Sequence, residues 1–108
     1  MSLGDYQKQV DDWAQGLEVP YWTPLSMMAR LMEETGELAR AYNHKYGEKP
    51  KKPTEEPDDI EGELGDIIFD VICLANVEGI DLDKAIQKVI TKAQTRDKDR
   101  FAKKKPEA

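Results

Sequence analysis

The chain has 108 residues, enough for one domain and short for two ordinary ones. Apolar residues make up 39% and charged residues 35%, so a modest core carries a heavily charged surface. The net charge of −6 argues against broad, nonspecific binding to nucleic acid. The longest apolar run, IIFDVICLANV, contains an Asp and falls far short of the ~20 residues that span a bilayer, so no membrane segment is expected. The start, MSLGDYQKQVDDW, has no apolar stretch of the signal-peptide kind, and the lone Cys73 has no partner for an internal disulfide. A reducing cytoplasm is the simplest compartment.

The elements in chain order are four helices and no strand, an all-α bundle formed by a single domain over residues 1–108. Leu3, Tyr6, Val10, Trp13 and Leu17 recur every three or four residues and predict a first helix over about residues 3–16. GLEVPYW follows as a connector, so residues 1–20 form an N-terminal helix and link. Thr23 is a good N-cap with Pro24 at the first helical position; the second helix should run to about Tyr46 and stop before Gly47. GEKPKKPTEEPDD, with three prolines and no apolar residue, reads as an exposed loop. Asp58 or Asp59 can cap the third helix, which should end near Gly79. Asp81 caps a fourth, LDKAIQKVITKAQTRDKDRF, with Leu82, Ala85, Ile86, Val89, Ile90 and Ala93 inward. Residues 102–108 read as a frayed tail.

The third helix is apolar nearly all round. At ~100° per residue, Ile67, Phe69, Ile72 and Cys73 point in well-separated directions. Such a helix must be covered on nearly every side, and three other short helices cover it poorly. A homo-oligomer, dimer or tetramer, is therefore expected.

The second and third helices also concentrate acid. With Glu33 at the origin of a helical wheel, Glu34 lies at ~100° and Glu37 at ~40°. Glu63, Asp66 and Asp70 follow i, i+3, i+7 spacing and share one face of the third helix. If the two helices pack antiparallel, these acids meet at the edge of the core. Clustered carboxylates repel, and partial burial worsens the cost. Protonation or a divalent cation relieves it, and oxygen ligands without His or Cys favour Mg²⁺ or Mn²⁺ over Zn²⁺. Asp70 stands inside IIFDVICL, where a purely structural helix would place Leu, so it is expected to be partnered or functional.

EETGE (residues 33–37) on one helix followed by ELGD (residues 63–66) on the next resembles the paired E-E-x-x-E and E-x-x-D motifs of the MazG-type nucleoside triphosphate pyrophosphohydrolases. The resemblance covers about residues 20–101. It implies an all-α pyrophosphatase fold, oligomeric assembly and Mg²⁺-dependent cleavage between the α and β phosphates to a monophosphate and pyrophosphate. House-cleaning of aberrant nucleotides is the corresponding role. The metal ligands it implies are Glu34, Glu37, Glu63 and Asp66, with Glu33 binding a second ion or orienting the attacking water. The K-F-x-x-R pattern of many members is KAQTR here, which keeps Lys92 and Arg96 but has Ala93 for the Phe. The N-x-x-R-Y of some is DKDRF, with Arg100 and Phe101 present and Asp97 in place of the Asn.

Lys92, Arg96 and Arg100 fall four residues apart and form a basic stripe, read as partners for the substrate's phosphates. Of Trp13, Tyr21 and Trp22, Trp13 is expected in the core, and Trp22 beside the connector is the better candidate to stack on a base. Asp70 joins Trp22 and the three cations as a substrate-binding candidate. His44 has no second His or acid at metal spacing and reads as a surface or interface residue. A ferritin-like di-metal oxidase is disfavoured, since it needs Glu-x-x-His and Ala41 stands three residues before His44. The substitutions at Ala93 and Asp97 keep one other class open, a non-catalytic helical module that binds nucleotide or metal for regulation.

Overall fold

A computed structural model describes residues 1–106. Its elements are α1 (Leu3–Ala14), α2 (Pro24–Tyr46), α3 (Ile60–Glu78) and α4 (Leu82–Arg96), with no strand among the described residues. Local chemistry sets the boundaries. Ser2 and Asp5 form a reciprocal capping box at the start of α1. The Thr23 hydroxyl accepts from the Ser26 amide ahead of α2, and Pro24 takes the first position. Asp59 accepts from Gly62 at the start of α3, which closes at Gly79 in the left-handed conformation, φ 66°, where a side chain would be strained. Asp81 accepts from the amides of Asp83 and Lys84 ahead of α4.

Two helices stop earlier than the periodicity suggests. α1 ends at Ala14, after which Leu17 N bonds Ala14 O in a turn. α4 ends at Arg96 rather than continuing to Phe101. Asp97 and Asp99 would lie at the negative end of the helix dipole, where acids are unfavourable. Instead, the Asp97 carboxylate gathers the guanidinium groups of Arg96, at 3.3 Å, and Arg100, at 3.5 Å.

The scaffold is the α2–α3 pair. Arg30 faces Asp70, Glu37 comes near Glu63, and His44 meets Asp58, so the two helices run antiparallel. Met27, Glu34 and Ala41, seven residues apart, are the buried positions of α2, and Asp70, Ile72 and Ala75 are those of α3. α1 lies across α3. Trp13 meets the edge of Phe69 with ring centres 6.0 Å apart, and Gln7 bridges Asn76, the Ile80 carbonyl and the Leu82 amide. α4 is held at its start, where Asp83 accepts from the amides of Leu3 and Gly4 at 3.1 Å.

Several side chains depart from the expected burial. Trp13 is 59% exposed. α4 buries no residue fully: Ile86, Val89 and Ile90 lie open, and Ile86 and Val89 line an apolar groove with Ile67, Ile68 and Val71 of α3. Of the inward stripe read from the sequence, only Leu82 and Ala85 are therefore partly covered within one chain, and Ile86, Val89, Ile90 and Ala93 are exposed. His44, expected at the surface or an interface, has a side chain only 3% exposed. Its Nδ1 lies 3.1 Å from Asp58 in the loop that joins α2 to α3, which folds back over the end of α2. No helix is long and apolar enough to cross a membrane among the described residues.

Candidate functional site

Antiparallel pairing of α2 and α3 places their acidic faces against each other. Glu34, Glu37 and Glu63 each offer a carboxylate oxygen within 4.8 Å of the others. Glu34 is only 8% exposed, Glu63 is half-buried and Glu37 faces outward. Oε2 of both Glu34 and Glu63 is buried without a hydrogen-bond partner. Burial above all, then the neighbouring charges of Glu37 and Asp66, pushes the Glu34 carboxyl above its usual range, against the pull of Arg30. Burial, followed by Glu37 and Asp66, pushes Glu63 the same way. Three carboxylates facing one point with two orphaned oxygens have the donor set of a hard divalent cation, and such an ion would satisfy those oxygens. The residues present fit a metal.

Asp66 is exposed and lies outside the group of three, although its charge is felt by both Glu34 and Glu63. Glu33 is exposed and makes no ion pair among the described residues. The basic stripe is not joined to the acids: no hydrogen bond or ion pair of Lys92, Arg96 or Arg100 reaches them among the described residues, and both arginines turn to Asp97.

One turn along the same seam lies a residue that sequence reasoning missed. Arg30 reaches Asp70 Oδ1 through Nε at 3.2 Å and Glu34 Oε1 through Nη2 at 3.3 Å, and its guanidinium lies 5.5 Å from the centre of the Trp22 ring. The available signal was its i, i+4 spacing to Glu34 and its standing as the only Lys or Arg between Thr23 and Leu38. Asp70 is 5% exposed, and burial first of all pushes its carboxyl upward while Arg30 opposes the shift. A cavity of about 240 Å³ opens beside this pair, walled by Trp13, Tyr21, Trp22 and Phe69. Tyr21 fixes that wall: its hydroxyl donates to Asp11 at 2.6 Å and accepts from Asn76 at 3.1 Å. Burial and the Asp11 bond push its phenol up to about 12.

The fold and this seam define a class: a strand-free helical domain, among the described residues, whose two longest helices build a carboxylate site suited to a cation. Residues 22–101 match the MazG nucleotide pyrophosphohydrolase domain. The chain belongs to that family and is a nucleotide pyrophosphohydrolase by family. It is 50% identical over 103 residues to YpjD of Bacillus subtilis (strain 168), covering 95% of this chain and 93% of that protein. It is 32% identical over 101 residues to YvdC of the same organism, covering 85% and 95%. The crystal structure of YpjD from Bacillus subtilis superposes with a TM-score of 0.78 at 47% identity, covering 88% of this chain and 97% of that one. The crystal structure of the Bacillus-conserved MazG protein, a nucleotide pyrophosphohydrolase, gives 0.76 at 48% identity, covering 93% and 97%.

Proposed function

We propose that the chain is a Mg²⁺-dependent nucleoside triphosphate pyrophosphohydrolase, with Mn²⁺ able to substitute, acting in the cytoplasm on normal or aberrant nucleotides. The observation that carries this is the group of Glu34, Glu37 and Glu63, with orphaned buried oxygens on two of the three. Glu34, Glu37 and Glu63 hold the ion, and Asp66 completes the set from the next turn of α3. The bound ion supplies neutralisation of phosphate oxygens. Glu33, exposed beside Glu34 on α2, positions the water. Its oxygen bonds to the α phosphorus, the bond from that phosphorus to the α–β bridging oxygen breaks, and the electron pair leaves with pyrophosphate. The proton lost by water passes to solvent or a carboxylate, and nucleoside monophosphate remains.

Lys92, Arg96 and Arg100 take the leaving phosphates, and Trp22 and Asp70 contact the nucleoside. The uncovered apolar faces of α3 and α4 support a homo-oligomer, dimer or tetramer, in which a second copy fills the groove. The whole chain works as one domain, because α1 and its connector supply Trp13 and Tyr21 to the cavity wall.

The test is pyrophosphate release from a panel of ribo- and deoxyribonucleoside triphosphates with and without Mg²⁺. Release that requires the metal is expected. The pairing of Arg96 and Arg100 with Asp97 favours one other reading, a non-catalytic nucleotide- or metal-binding module. Binding without release from any member of the panel would establish that reading instead.

A further inference from the structure

The cavity beside Arg30 and Asp70 has a floor that its structural role does not explain. Asp70 Oδ1 is taken by Arg30, but Oδ2 is buried and has no hydrogen-bond partner. An unsatisfied buried carboxylate oxygen is costly, and a Leu at this position would avoid the cost. Asp70 is not part of the three-carboxylate group, so a cation held there leaves this oxygen unsatisfied. The walls are aromatic: Trp13, Tyr21, Trp22 and Phe69. A flat ring fits between such walls, and Arg30 beneath Trp22 adds a donor edge, since its Nη1 has no protein partner among the described residues. The position is also right for a nucleotide. Arg30 lies four residues before Glu34, so the cavity sits one helical turn, about 6 Å, along α2 from the nearest member of the acidic group. A sugar separates a base from its phosphates on that scale.

We propose that Asp70 is the base-reading residue of this site: its free Oδ2 accepts an N–H from the pairing edge of a nucleobase held between the aromatic walls, while Arg30 donates to the ring or carbonyl acceptor beside that N–H. The proposal deepens the pyrophosphohydrolase reading and rests on it for the nature of the ligand. A base without an N–H on that edge leaves Oδ2 buried and unpartnered, and sites built to bond such a group reject analogues that lack it. Asp70 selects for the donor, not for overall size.

The experiment compares substrates that differ only in this donor. One pair is cytidine triphosphate against the triphosphate of pyrimidin-2-one riboside, which has H in place of the amino group. The other is adenosine triphosphate against purine riboside triphosphate. The analogues are smaller than their parents, so crowding cannot account for rejection. In the wild type kcat/KM is expected to fall at least tenfold from parent to analogue in the pair whose ring size the cavity accepts. In Asp70→Asn the amide oxygen keeps the Arg30 bond while its NH₂ replaces the free acceptor, so the ratio should collapse to about one or invert. A strut that merely holds Arg30 would lower both members of a pair equally and leave the ratio unchanged. An unchanged ratio in Asp70→Asn, or a wild-type ratio within twofold in both pairs, overturns the proposal. The matching monophosphates, titrated by calorimetry, separate the two readings. A preference seen in binding without turnover keeps the base-reading role and removes the enzyme; turnover that is blind to the donor does the reverse.

Discussion

The α2–α3 seam and the outer face of α4 are inverted images of each other. The seam buries Glu34 and Asp70 where a core would place aliphatic side chains. α4 exposes Ile86, Val89 and Ile90 where a surface would place charge. A buried acid and an exposed apolar stripe are each the informative exception to ordinary partitioning. They call for different companions. The seam has the donor set for a cation; the face of α4 presents an apolar surface to solvent. A perturbation at one should leave the other's signature intact.

The largest expected effect breaks the seam alone. Glu37→Gln keeps the shape and removes one charge from the group. It should abolish pyrophosphate release, at least a hundredfold down, with helicity unchanged by circular dichroism and the oligomer unchanged by sedimentation. Activity within threefold of wild type would remove Glu37 from the site. Breaking the other region comes next. Val89→Asp puts a charge on the uncovered stripe, where burial without a partner costs several kcal/mol. Light scattering should show dissociation, followed by loss of activity. A fully active wild-type monomer would sever assembly from function. Lys92→Ala should lower kcat/KM roughly ten- to a hundredfold for triphosphates, on the scale of a lost charge-assisted contact. Equal loss of affinity for the monophosphate product would contradict a contact with the leaving phosphates.

A smaller effect sharpens the electrostatic side. Glu34 and Glu63 have carboxyls raised above the ordinary 4.5, so folding favours their protonated forms. The stability they contribute is full below the ordinary value and is lost as pH rises through the raised one. Metal-free protein should therefore lose melting temperature at this site as pH rises above 4.5 through the raised values. Mg²⁺ binds the ionised carboxylates, so the rise it causes should be larger at pH 7 than at pH 5 and should exceed that from NaCl of equal ionic strength. A rise of the same size at both pH values would mean screening and no specific site. The smallest effect concerns Asp97. Asp97→Asn releases Arg96 and Arg100 from its charge, and KM for triphosphate should fall a few-fold; a KM that rises would show that Asp97 positions the arginines.

Much of this was legible in the chain because it is written in local chemistry. Thr23-Pro24, Asp59, Gly79 and Asp81 mark helix ends through bonds to residues at most a turn away, and the structure places caps at each. The convergence of Glu34, Glu37 and Glu63 needed only i, i+3 spacing and an antiparallel neighbour. What escaped depends on pairs distant in sequence. Asp70 stood out as an acid in an apolar run, but its partner Arg30 lies forty residues away. His44 looked solitary until the proline-rich loop brought Asp58 back to it. The stripe on α4 was readable as apolar, but whether its cover comes from the same chain is a tertiary fact, and within one chain only Leu82 and Ala85 are partly covered.

The most direct test of the acidic seam as the metal centre of a pyrophosphohydrolase is phosphorus-31 NMR of a nucleoside triphosphate incubated with the wild-type protein, first without divalent metal and then with Mg²⁺. The expected result is no change until Mg²⁺ is added, then equimolar nucleoside monophosphate and pyrophosphate, with no diphosphate resonance at any time. Nucleoside diphosphate and inorganic phosphate, or the same turnover without the metal, would contradict it.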